Sequence, residues 1–192
     1  MKLIIASNNK AKTEEIKSIL GDRFDPIVSL REAGISHETV EDGDSFAANA
    51  EKKAREIAEM TGCCVIADDS GLCVDALGGA PGIYSARFCG RHGDDDGNNK
   101  VLLEKLEGAA DRSAHFTCAV CLIYPDGHKV TAEGYIYGEI GIKGRGDNGF
   151  GYDPLFYLPE YGKTLAELSA EEKNKISHRG NALTALAEKL NK

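Results

Sequence analysis

The chain has 192 residues, 23 Lys and Arg against 31 Asp and Glu, a net charge of −8 and 42% hydrophobic residues. A chain of this length buries roughly 70% of the surface its unfolded form exposes, so it needs no disulfide or metal staple, and a disordered or fibrous chain does not fit. The negative balance disfavours nucleic acid and anionic membrane as partners, yet it leaves room for a small anionic ligand held by a few cations.

The N-terminal apolar run, residues 3–6, is too short for a signal segment or a membrane span, which points to the cytoplasm. The six cysteines, Cys63, Cys64, Cys73, Cys89, Cys118 and Cys121, lie mostly in strand-like runs and read as buried thiols of a reducing compartment. Cys118 and Cys121 form a C-x-x-C, but three-residue spacing on a strand turns the two thiols to opposite faces, against zinc or redox chemistry. No internal repeat or linker interrupts the chain, so residues 1–192 read as one domain.

In chain order, the pattern predicts a buried strand at 2–6, a turn at Ser7-Asn8-Asn9 and a helix over 10–20 stopped by Gly21. A second helix over 46–61 starts behind Ser45 and ends at Gly62. A buried strand at 63–67 then meets Asp68-Asp69-Ser70-Gly71, which reads as a break before another strand at 72–77. A Gly-rich loop at 78–82 follows, with Asp94-Asp95-Asp96 as a solvated loop and a helix over 99–106. Strands at 115–124 and 129–136 flank Pro125-Asp126-Gly127 and form a hairpin. A further strand at 153–158 precedes two capping boxes, Thr164 with Glu167 and Ser169 with Glu172, ahead of a helix ending near Leu190. Helices interspersed with buried and hairpin-linked strands give an α/β or α+β class with a mixed sheet.

Two lysines stand on apolar helix faces. At about 100° per residue, Lys12 falls near 320° when Ile16 is at zero, and Lys53 near 340° when Phe46 is at zero. Snorkelling accounts for either lysine alone. Two of them, one at a strand-turn-helix junction where N–H groups and the helix dipole favour anions, point to a phosphate site. Asp68 and Asp69 at a strand end, with Glu41 and Asp42 ahead of the second helix, supply carboxylates for Mg²⁺ beside such phosphates, one of the two adjacent aspartates entering the site. Residues 141–153 carry five glycines around Arg145 and Phe150 without the spacing of a Walker loop or a dinucleotide fingerprint. Phe150 among glycines suits stacking on a flat base, and Ser177-His178-Arg179 offers donors to a base carbonyl.

Taken together, these blocks resemble the non-standard purine nucleoside triphosphate pyrophosphatases, also called inosine/xanthosine triphosphate or dITP/XTP pyrophosphatases. The resemblance runs nearly end to end. It is carried by Ser7-Asn8-Asn9-Lys10-Ala11-Lys12, Glu41-Asp42-Gly43 with Ser45-Phe46, Asn49-Ala50 and Lys53-Ala54, and Ala67-Asp68-Asp69-Ser70-Gly71-Leu72. It continues through residues 78–87, Gly149-Phe150-Gly151-Tyr152-Asp153-Pro154, and Lys173 with Ile176-Ser177-His178-Arg179. Ser7 stands where Thr is frequent and Asn8 where Gly is frequent.

The resemblance implies an elongated, two-lobed α/β fold with a central mixed sheet flanked by helices, an active site in the cleft between lobes, and a homodimer. It implies hydrolysis of ITP, dITP and XTP to monophosphate and pyrophosphate. Ser7, Asn9, Lys12 and Lys53 would hold phosphates, with Asn8, Lys10 and Ala11 among the substrate-binding residues. Glu41 and Asp69 would bind Mg²⁺, with Mn²⁺ as the alternative ion, and Asp69 would activate water. Phe150 would stack on the base, with Ser70, Gly151, Tyr152, Asp153, Lys173, His178 and Arg179 completing the substrate pocket. The competing readings are a house-cleaning pyrophosphatase of different base choice and a non-catalytic nucleotide sensor.

Overall fold

The computed structural model describes residues 1–191. Its strands are β1 (Leu3–Ile5), β2 (Ile27–Ser29), β3 (Cys64–Val74), β4 (Ser113–Ile123), β5 (Lys129–Ile140), β6 (Phe156–Leu158) and β7 (Lys163–Thr164). Its α-helices are α1 (Lys10–Leu20), α2 (Phe46–Thr61), α3 (Asp95–Lys105), α4 (Ala170–Ile176) and α5 (His178–Lys189). The strands form one seven-stranded sheet in the order β2-β1-β3-β4-β5-β6-β7. β1 runs parallel to β2 and β3, whereas β6 is antiparallel to β5 and β7, so the sheet is mixed as expected.

The described residues divide into two compact units. The first comprises residues 1–69, 118–134 and 178–191, and the second residues 70–117 and 135–177. In the first unit the strand alternation sorts the core onto two faces. Leu3, Ile5, Ile66, Cys118, Val120 and Leu122 pack with Ile16 and Leu20 of α1 and with Leu183 and Leu186 of α5. Ile4, Val65, Ala67, Ala119, Cys121 and Ile123 pack instead with Ala50, Ala54 and Ile57 of α2. Cys118 and Cys121 thus lie on opposite faces, and all six cysteines are free thiols. At Gly134 a Cβ would stand 2.2 Å from the Ala182 amide nitrogen, so the absence of a side chain is what lets β5 meet the backbone of α5. The second unit has one core, in which Leu102 and Leu106 join Leu72, Phe116, Ile140, Phe156 and Leu165.

The helix starts follow from capping chemistry. Asn9 Oδ1 accepts from the Lys12 N–H at 3.2 Å, and Ser45 Oγ from the Ala48 N–H at 3.2 Å. Gly62 ends α2 in the left-handed conformation, at φ 63°.

Four sequence expectations are corrected. The Asp68-Asp69-Ser70-Gly71 segment does not break a strand: β3 runs through it to Val74, and a 3₁₀ turn occupies Asp75–Leu77. Its turn-forming composition is overridden by pairing with neighbouring strands, because strand preference depends on tertiary context. The acidic run at 94–96 is no solvated loop. Asp94 caps α3 by accepting the Gly97 N–H at 2.9 Å, and Asp95 and Asp96 form its first turn, where the helix dipole favours them. The strand foreseen over 153–158 shrinks to β6, since the peptide at Asp153–Leu155 turns back on Phe150 and Tyr152. The single C-terminal helix is two: the first capping box closes a 3₁₀ turn at Leu165–Glu167, the second starts α4, and extended Ser177 separates α4 from α5. The short strands β2 and β7 carry no alternation long enough to be read from sequence.

Candidate functional site

In the first unit, β1 ends at Ile5, whose register partner on β3 is Ile66. Asp68 and Asp69 therefore extend past the carboxyl end of β1, where the chain turns through Ser7-Asn8-Asn9 into α1. Ligand sites of α/β sheets form in such positions. Asn8, Asn9, Lys10 and Ala11 are exposed there, and Ser7 Oγ accepts the Asn9 N–H at 3.2 Å. Neither α1 nor α2 has an acidic residue in its first turn, so both helix N-termini keep their attraction for anions.

Alternation along β3 turns Asp68 and Asp69 to different faces, and each meets a lysine from its own side. On the face of α1 and α5, Asp68 Oδ2 is 3.0 Å from Lys12 Nζ and accepts from Arg179 Nε at 3.1 Å. Arg179 Nη1 also reaches Glu15 Oε2, at 2.5 Å, and the arginine is 1% exposed. On the face of α2, Lys53 Nζ lies 2.6 Å from Glu41 Oε1 and 3.3 Å from Asp69 Oδ1. Asn49 ties this side together: its Nδ2 donates to Asp69 Oδ2 at 3.1 Å, and its Oδ1 accepts the Gly43 N–H at 2.8 Å. The two apolar-face lysines thus end on carboxylates of β3.

The adjacent aspartates are driven in opposite directions. Burial opposes ionisation of Asp68, but Lys12, Arg179 and Lys53 outweigh it and hold the carboxyl below the usual range. For Asp69 burial prevails over Lys53 and Lys12, with Glu41 adding to it, and the carboxyl is raised. Burial would lower the Lys53 ammonium, yet Asp69, Asp68 and Glu41 more than offset it and keep the group charged. Neighbouring acids with diverging environments separate a fixed charge, Asp68, from a carboxylate suited to taking up a proton, Asp69.

Three cations face four carboxylates in this cluster, so it is not by itself a sink for a highly charged anion. Its donor set fits a hard divalent cation. Glu41 and Asp69 converge on one ammonium, both offer oxygen, and Mg²⁺ is commonly held by one or two carboxylates together with phosphate oxygens. Among the described residues no group of three or more His, Cys, Asp or Glu is arranged to hold a metal ion.

In the second unit, Phe150 is half-buried between Gly149, at φ 79°, and Gly151, at φ 62°. Asp153 Oδ2 accepts from the Phe150 N–H at 2.8 Å and from Lys173 Nζ at 2.7 Å, and Lys173 Nζ stands 4.7 Å from the Phe150 ring centroid. A Cβ on Gly149 would lie 2.1 Å from Asp153 Oδ2, so the carboxylate fits there only against glycine. Tyr152 is buried and its hydroxyl donates to Ser85 O at 2.8 Å. Ser85 in turn accepts the Leu72 N–H at 2.9 Å through its Oγ, so residues 78–87 link the Phe150 segment to β3. Ser70 belongs to this unit as part of β3, whereas His178, buried at the start of α5, belongs to the first.

The sequence reading passed over Glu15, and named Asn49 only within the Asn49-Ala50 block that carries the resemblance, without a role. Asn49 carried a signal, a poor helix former near 300° on the same apolar face as Lys53. Glu15 falls near 260° on its own helix, off the apolar stripe, and nothing in the pattern marks it.

An α/β chain with lysines, acids and open helix N-termini at the end of a parallel strand, and an aromatic ring set among glycines, belongs to the class of phosphate- and nucleotide-handling enzymes. More particularly, the model of the Ham1 family matches residues 3–189, and the chain belongs to that family. It is 51% identical to a dITP/XTP pyrophosphatase of Clostridium perfringens, over 98% of this chain and 97% of that one. It is also 51% identical to a protein of the same name from Desulforamulus reducens, over 100% and 96%. Among solved structures, the Staphylococcus aureus Ham1 protein superposes with a TM-score of 0.89 at 42% identity, covering 100% of this chain and 98% of that chain. A HAM1 protein from Coxiella burnetii gives 0.90 at 40%, with the same coverage. No α-helix among the described residues is long and apolar enough to cross a membrane.

Proposed function

We propose that this chain hydrolyses non-standard purine nucleoside triphosphates, ITP, dITP and XTP, to monophosphate and pyrophosphate, and so removes deaminated purines from the nucleotide pool. The names of the relatives support the chemistry, and one observation carries it: Lys12 and Lys53 reach adjacent carboxylates past the end of β1, and only one of these carboxylates, Asp69, is poised to accept a proton.

Ser7, Asn8, Asn9, Lys10 and Ala11 bind phosphate oxygens at the N-terminus of α1, while Lys12 and Lys53 exchange their carboxylate partners for the same oxygens. Asp69 takes a proton from the water that attacks the α-phosphorus. The new bond is from the water oxygen to phosphorus, the bond from phosphorus to the bridging α–β oxygen breaks, and pyrophosphate departs with the electron pair. Glu41 and Asp69 would hold Mg²⁺, or Mn²⁺ in its place, which when bound offsets phosphate charge and turns a cluster rich in carboxylates into one that accepts a triphosphate.

Phe150 stacks on the base, flanked by Gly151, Tyr152 and Asp153, with Lys173 and Ser70 completing this part of the pocket. His178 and Arg179 serve the 6-oxo group, Arg179 from a fork in which two donors already hold Asp68 and Glu15. A 6-amino purine leaves such donors unpaired, which disfavours ATP. The same reading makes the protein a cytoplasmic homodimer acting on free nucleotides.

The test is pyrophosphate release from ITP, dITP, XTP, ATP, GTP, dUTP and TTP at equal concentration, with Mg²⁺ and with EDTA. The proposal requires the first three to dominate and EDTA to abolish the signal. Dominance of a pyrimidine would overturn the base assignment, and ITP binding without turnover would favour a sensor.

A further inference from the structure

Phe150 has a glycine on each side, and glycine gives a ring no lateral packing and a wide choice of backbone conformations. Something else must fix its plane. Before the ring, Asp153 holds the Phe150 N–H. After it, both polar groups of Gly151 are taken by a single helix. Asp95 Oδ2 accepts the Gly151 N–H at 2.8 Å, and Asn99 Nδ2 donates to Gly151 O at 2.9 Å.

Asp95 and Asn99 stand four residues apart, so they share one face of α3. That helix is itself anchored. Asp94 caps it, Leu102 is fully buried in the core of the second unit, and Asn98 Oδ1 accepts the Cys89 N–H at 2.8 Å, fastening the preceding loop. Asn99 Oδ1 is buried and has no hydrogen-bond partner among the described residues, so its amide is oriented by the Gly151 contact.

We infer that Asp95 and Asn99 are positioning residues for Phe150. They clamp the Gly151 peptide to a core-anchored helix and so preset the ring for the base. The inference rests on the proposed role of Phe150 as the base-stacking residue. A stacking ring that must be ordered on binding loses affinity to the cost of ordering, so the clamp acts on substrate binding and leaves the bond-breaking step alone.

The experiment compares KM and kcat for ITP, and the thermal midpoint, in the wild type, Phe150→Ala, Asp95→Ala, Asp95→Asn, Asn99→Ala and the double variant Asp95→Ala/Phe150→Ala. Phe150→Ala is expected to raise KM by about 10-fold or more with kcat within about twofold, the scale of one lost base stack. Asp95→Ala is expected to raise KM by about 3- to 10-fold, the scale of one ordinary hydrogen bond, and Asn99→Ala by less. Asp95→Asn keeps an acceptor at the same place and recovers most of the loss, even if the alanine variant proves too unstable to assay. In the double variant KM equals that of Phe150→Ala.

Unchanged KM in Asp95→Ala and Asn99→Ala beside a raised KM in Phe150→Ala overturns the clamp and leaves the base assignment standing. A lowered midpoint with unchanged KM does the same. Additive effects in the double variant show that Asp95 acts by another route and also overturn it. Unchanged KM in Phe150→Ala overturns the base assignment itself.

Discussion

The two units solve the problem of holding functional groups in opposite ways. In the first, charge holds charge: Asp68 is gripped by Lys12 and Arg179, and Asp69 by Lys53, with the Asn49 amide donating to it as well. In the second, the peptide chain itself is held. Phe150 and Gly151 are fixed through backbone groups, by Asp153, Asp95 and Asn99, and Lys173 stands over the aromatic ring. An ion-pair cluster rearranges when a charged substrate arrives, because its partners are exchangeable. A backbone clamp does not, and suits the part of a site that must discriminate one flat base from another. Damage to the Asp69–Lys53 side of the first cluster should therefore lower turnover of every triphosphate alike, and damage around Phe150 should alter recognition.

The largest expected effect is at Asp69. Asp69→Asn removes the proton acceptor and a metal ligand and should lower kcat by at least ~10²-fold for all accepted substrates, read by steady-state pyrophosphate release. An Asp69→Asn enzyme with near-normal kcat would end the assignment. Next comes Arg179→Ala, which strips a fully buried cation from Asp68 and Glu15. It should destabilise the fold by about 3 kcal/mol in urea unfolding, the scale of a broken buried pair. If Arg179 also reads the base, the surviving enzyme loses its preference for ITP over ATP. A retained preference would confine Arg179 to holding the network.

Lys53→Ala and Lys173→Ala set the units directly against each other. Removing Lys53 should depress kcat with any triphosphate. Removing Lys173, which sits over the Phe150 ring, should raise KM and shift the ranking of bases while kcat holds within about threefold. Swapped outcomes would reverse the division of labour.

The acid limb of stability sharpens the comparison further. The native carboxyl of Asp68 is depressed, so its contribution is complete above the ordinary carboxylate pKa of about 4 and is lost as pH falls below that value. Asp68→Asn should lower the thermal midpoint at pH 7 and flatten its decline between about pH 4 and pH 2. An unchanged decline would show that other carboxylates dominate it. The smallest effect concerns the thiols. Cys118 is fully buried and its thiol is pushed up to about 12 by burial, so it should resist a thiol reagent in the native protein and react only on unfolding.

How far the sequence led can be seen at particular residues. α1 and α2 were legible to the residue, because an N-cap, an apolar stripe and a closing glycine agree at every level. The two lysines on those stripes were visible as exceptions to the pattern, and both proved to belong to the charged cluster. β3 was misread at Asp68–Gly71 because aspartate, serine and glycine are poor strand formers, and only the neighbouring strands keep them extended. Glu15 escaped altogether: its partner is Arg179, 164 positions later, and no local pattern encodes so distant a pairing. The contacts to Gly151 were hidden for the same reason, since Asp95 reads as part of a solvated loop and Asn99 as a helix start until the fold brings Gly151 to them.

The path of the chain has a further meaning. Passage from one unit to the other falls at 69/70, 117/118, 134/135 and 177/178, and the first three of these lie inside β3, β4 and β5. Neither unit is a contiguous stretch of polypeptide. No single truncation, fusion joint or recombination breakpoint in the gene can donate or delete one of them whole, and three of the four seams cut a strand in two. Asp69 of the first unit and Ser70 of the second are encoded by adjacent codons within one strand, and they must be inherited together.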